Sequence, residues 1–78
     1  MDYTREINKL NDNIKIADTR LHQLWLQRHN NPNYESDFKV AIASYSEAHS
    51  AFDKFMSDHQ KPAWIAYQDI IYIKLSSK

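Results

Sequence analysis

Two stretches of the chain carry apolar residues at alternating steps of four and three, and few folds accept that spacing twice. The first holds Tyr3, Ile7, Leu10, Ile14, Ala17, Leu21 and Leu24. The second holds Tyr34, Phe38, Ala41, Tyr45, Ala48, Phe52, Phe55 and His59. Each is the seam of a helix that packs on another helix. Laid antiparallel, the seams pair so that the two residue numbers of each couple add to 62, as in Tyr3 with His59, Ile7 with Phe55 and Leu24 with Phe38. Size also matches: Ala17 faces Tyr45, Ala41 faces Leu21 and Ala48 faces Ile14, and large against small fills the space between helices. Between the stretches stands Asn30-Asn31-Pro32-Asn33. Proline stops a helix in mid-run, and asparagine accepts capping and left-handed conformations.

The expected fold is all-α, a long antiparallel helical hairpin over about 2–29 and 33–60. Asp2 is the expected N-cap of the first helix and Asn33 that of the second. Glu35 and Lys39 should pair at i,i+4. Pro62 biases Lys61 away from helical backbone, which puts the end of the second helix at His59 or Gln60. Pro62 then suits the first turn of a short third helix over about 62–75. The β-branched and aromatic residues from Ile70 to Leu75 would also suit a strand, but the chain offers no second strand to pair with it. The whole, 1–78, reads as a single helical domain resembling a three-helix bundle, with Ser76-Ser77-Lys78 a frayed end.

This third helix is apolar almost all round. Trp64, Tyr67, Ile71 and Leu75 form the face expected to pack on the hairpin. Ile65, Ile70 and Ile73 then have no partner within the chain and are the expected oligomer interface, most simply of a homodimer. At about 14 residues the helix reaches only about 21 Å back along the hairpin, far enough to cover Met56 but not the loop end. Trp25, Leu26, Phe38 and Ile42 stay uncovered there and form the expected partner-binding patch, with Trp25 as anchor.

Other chemistry finds little to stand on. The chain has no glycine, which argues against phosphate-cradling loops and glycine-dependent turns. It has no cysteine, consistent with a cytoplasmic protein and with neither disulfides nor thiolate metal sites. At 78 residues, a second subunit or partner is the common remaining source of buried surface. Of the four histidines, His22 and His29 are two turns apart, and Asp18–His22 and His49–Asp53 are ordinary i,i+4 pairs, so no metal and no cofactor are expected. Ser44, Ser46, Ser50 and Ser57 lie within a helix with no activating base beside them, and no catalytic residue is expected. Ten basic and ten acidic residues cancel, and Asp2, Glu6, Asp12 and Asp18 interleave with Arg5, Lys9, Lys15, Arg20 and Arg28. Nucleic acid is therefore not an expected partner. No apolar run approaches the roughly 18 residues of a membrane span or suggests a signal peptide.

The Asn30-Asn31-Pro32-Asn33 turn resembles that of type III secretion needle subunits, helical hairpins of similar length, which implies a structural subunit of a homo-oligomeric assembly. Pro62 departs from that pattern, since it breaks the C-terminal helix such subunits polymerise through. Ser46-Glu47-Ala48-His49 and Pro62-Ala63-Trp64 are similar to elements of the small modulators that partner the nucleoid silencer H-NS, without the aspartate that precedes the histidine there. Neither resemblance covers enough of the chain to transfer a site. The function expected from the residues is non-enzymatic protein–protein interaction by docking apolar helix faces, as a regulator, inhibitor, chaperone or assembly factor. The alternatives are a needle-like structural subunit and, more distantly, a nucleic-acid-associated modulator.

Overall fold

A computed structural model describes residues 2–76, and these are helical with two long helices packed against each other. Helix α1 spans Tyr3–Leu26 and α2 spans Tyr34–Ser76. Ser77 and Lys78, part of the expected frayed end, lie outside the described residues. Asp2 caps α1 as its sequence position suggests: the backbone is extended there, and the carboxylate accepts from the Arg5 N–H at 3.1 Å.

Every seam residue of both stretches is buried or half-buried, so the four-three spacing marks the face each helix turns to the other. At the terminal end the Tyr3 ring meets the His59 ring edge-on at 5.4 Å and the Phe55 ring at 6.2 Å, in keeping with the antiparallel register.

The turn is longer than expected. Helix α1 stops at Leu26 rather than near His29, because the Gln27 N–H turns back to the Leu24 carbonyl at 2.9 Å. The Asn30 and Asn31 N–H groups then both reach the Gln27 carbonyl, at 3.0 and 2.9 Å. The side chain that fixes the turn is Asn31. Its Oδ1 accepts from the Asn33 N–H at 2.9 Å across Pro32, and its Nδ2 donates to Asp37 Oδ2 at 3.2 Å. Asn33 contributes its carbonyl, which accepts the first helical bond from the Asp37 N–H at 2.9 Å. One turn on, Glu35 and Lys39 pair at 3.5 Å, on the surface.

Helix α2 is broken at Gln60, whose φ of 44° and ψ of −121° are not helical. The break lies at the expected end of the second helix, but the non-helical residue is Gln60 and not Lys61, the residue before Pro62, and residues 61–76 leave the kink as a C-terminal arm. The arm returns to the hairpin near its terminal end. Ala63, Ala66 and Ile70 are buried there with Ile7 and Met56, and Tyr3, Phe52, Phe55 and Tyr67 pack around them. Ile7 is the largest fully buried side chain.

The result is flat and open. The chain measures 46 × 31 × 14 Å, with a radius of gyration of 15.5 Å. A compact chain of this length would have a radius of about 11.5 Å. The accessible surface is 6140 Å², against about 5,000 Å² for a compact monomer of this mass.

Candidate interaction surfaces

The loop end of the hairpin carries the first surface. Leu24, the last seam residue of α1, is buried, which turns the next two residues, Trp25 and Leu26, outward at 47% and 58% exposure. Ile42, beside buried Ala41 on α2, is 42% exposed. Phe38 is half-buried, its ring 5.4 Å from that of Tyr34. Trp25 is held in place from its own chain. The Arg28 guanidinium lies 3.7 Å from the centre of its ring, and Arg28 Nη1 donates to the Trp25 carbonyl at 2.9 Å. The His22 ring stacks nearby at 6.4 Å. The indole is therefore half-exposed and held in one place by its own chain.

The arm carries the second surface, and here the expected faces are corrected. Trp64, Ile71 and Leu75 do not pack on the hairpin; each is exposed, and of that set only Tyr67 is half-buried, edge-on to Phe52 at 5.4 Å. Ile70, expected at an oligomer interface, is buried in the core instead. The physical reason is the pair of alanines. Ala63, Ala66 and Ile70 recur at helical spacing, and two side chains that end at Cβ let the arm backbone approach Ile7 and Met56 closely enough for Ile70 to fill the remaining space. A face led by Trp64 would have held the arm away. Ile65 and Ile73 are exposed as expected. From Ile71 to Ser76 every residue is exposed.

A third feature was not anticipated. On another side of the hairpin an open groove of about 650 Å³ runs between the helices, floored by Ala17, Ala41, Ala48 and Ala51 and flanked by Ile16 and Val40. Ile16 and Val40 are 68% and 67% exposed. The signal was present in the sequence: both are β-branched residues one place before a seam alanine, and so fall just outside the seam.

Groups that could do chemistry are dispersed. His22 lies beside Trp25, His59 between Tyr3 and Phe55, and His49 against the Tyr45 ring at 4.5 Å. The His49 Nε2 is buried without a hydrogen-bond partner among the described residues. Also among the described residues, no three histidine, aspartate or glutamate side chains converge as metal ligands, and no helix is long and apolar enough to cross a membrane. Comparison with known protein families, characterised proteins and solved structures found no match to this chain.

Proposed function

We propose that this protein is a small interaction module that works by docking apolar helix faces on a protein partner, as a regulator, inhibitor, chaperone or assembly factor, and carries out no catalysis of its own. The observation that carries this reading is the unburied apolar surface. Trp25, Leu26, Val40, Ile42, Trp64, Ile65 and Tyr72 are all more than two-fifths exposed. The excess over a compact monomer is about 1,100 Å², of the order of the ~800 Å² that each partner contributes to a standard interface. The loop-end patch of Trp25, Leu26, Phe38 and Ile42 is the proposed partner site, with Trp25 as its anchor. In this reading the arm is a short third helix that leaves a three-helix arrangement open on its outer side.

The test is a binding measurement with a protein captured from the source cell by the wild-type chain. Trp25→Ala should weaken that binding by about 2 kcal/mol or more while leaving the melting temperature nearly unchanged. Unaltered affinity together with a large loss of stability would assign Trp25 to folding instead. A structural subunit of a homo-oligomeric assembly is the second reading, favoured by the flat shape and by the exposure of the arm from Ile71 to Ser76. Growth of the assembly without limit as concentration rises in sedimentation experiments would select it.

A further inference from the structure

The arm's outward side has a pattern of its own. At 3.6 residues per turn, Trp64, Ile65, Ile71, Tyr72 and Leu75 fall within an arc of about 120°, broken only by Lys61 and Gln68. The arc lies opposite the buried Ala63, Ala66 and Ile70, so a further helix can lie along it without meeting the hairpin. Trp64, Gln68, Ile71 and Leu75 follow one another at steps of four, three and four, the same rhythm that builds the hairpin seam. The exposed part of these five side chains comes to roughly 600 Å² per chain, near the ~800 Å² of a standard interface.

We infer that this outward stripe is a dimer seam whose occupant is the same stripe of a second copy, the two arms lying antiparallel across a two-fold axis. Self-pairing follows from the order of the residues. In the antiparallel register Trp64 packs on Leu75 of the second copy and Gln68 lies beside Ile71. Ile65 and Tyr72 close one side. Because the axis is two-fold, each contact occurs twice. The antiparallel direction also sets the dipoles of the two helices head to tail, each N-terminal end beside the other's C-terminal end, which a parallel pairing would not. Ile73, although exposed, lies to the side of this stripe, and of the expected interface residues only Ile65 takes part. The inference rests on the proposed docking function in treating exposed helix faces as protein-binding, but it concerns a different surface from the Trp25 patch.

Sedimentation equilibrium on the purified full chain tests it. At about 100 μM, where a dimer of micromolar dissociation constant is mostly formed, the wild type should be dimeric. Ile71→Glu should weaken the dimer about 100-fold or more with the circular dichroism spectrum unchanged, since Ile71 is exposed. Gln68→Leu, which replaces the one polar side chain in the seam, should tighten it about tenfold, and this variant decides the matter if Ile71→Glu does not fold. Trp25→Ala should leave the dimer intact, so loss of the proposed partner site and loss of the dimer are read separately. A wild type that remains monomeric overturns the inference, as does a dimer indifferent to both Ile71→Glu and Gln68→Leu. A monomer that binds phosphatidylcholine–phosphatidylglycerol vesicles, and loses that binding with Ile71→Glu, would overturn it in favour of a lipid surface.

Discussion

Gln60 holds backbone angles, φ 44° and ψ −121°, that glycine adopts freely and other residues adopt at a cost. They are those of the first central residue of a type II′ turn. The absence of glycine from the sequence suggested that no turn here would need one, and that inference fails at this position. Pro62 is the reason: it lacks the donor the helix needs, and its ring would meet the carbonyl of Asp58 four residues back, so the helix cannot run on through it and the chain changes direction just upstream. Gln60→Gly should therefore stabilise the fold by about 1 kcal/mol, the relief of strain outweighing the greater freedom glycine gives the unfolded chain. The urea midpoint should rise with an unchanged slope. A fall in the midpoint would mean that the Gln60 side chain contributes more than its backbone costs. His49 is the other residue under constraint, its Nε2 buried without a partner next to Tyr45. Spacing pairs His49 with Asp53, but whether its ring nitrogen finds a partner depends on rotamers and neighbours that spacing does not encode.

At the scale of elements, the hairpin was legible and the arm only half so. The hairpin seams alternate steps of four and three over six intervals on one helix and seven on the other, enough to single out one face of each. The arm has fewer turns and apolar residues on all sides, so several faces satisfy the periodicity equally well. Counting bulk favoured Trp64, Tyr67, Ile71 and Leu75. Close approach decided for Ala63, Ala66 and Ile70, since an alanine contributes little to a hydrophobic count and much to how near two backbones can come. The exposure of Trp25, Leu26 and Ile42 was legible because it depended on reach alone: a helix of that length could not return as far as Trp25. What would cover them was not, since exposed apolar side chains record no identity. A pair of truncations separates the two sides of the arm. Ile70→Ala should cost about 2–5 kcal/mol, as expected for emptying a buried site between Ile7 and Met56. Ile73→Ala should stay within about 0.5 kcal/mol, as expected for an exposed position. Thermal or urea unfolding of both variants checks the assignment. Equal costs would show that the arm packs in some other rotation.

At the scale of the whole molecule, the core is lopsided. Ile7, Met56, Ala63, Ala66 and Ile70 form one cluster at the terminal end, where the arm beyond Gln60 meets the hairpin. Toward the loop only two helices face each other, and the buried residues there are Ala17, Leu24 and Ala41. Two of those three end at Cβ, and the Ala-floored groove runs past Ala17 and Ala41 on the open side. Local opening is easiest where few apolar contacts hold the backbone. Native-state hydrogen exchange should therefore show a gradient along the hairpin. Amides around Ile7 and from Phe52 to Met56 should be the slowest and open only with global unfolding. Those flanking the turn, around Leu24 and Phe38, should open at lower free energy, and those of the turn itself lower still. From Ile71 to Ser76 the arm is exposed. If the arms pair as proposed, its amides should exchange fast in dilute protein and slow as concentration rises. Uniform protection along both long helices would mean that the hairpin opens as one unit and that the thin loop end is held as firmly as the core. Fast exchange around Ile7 and Met56 would place the stable core somewhere other than under the arm.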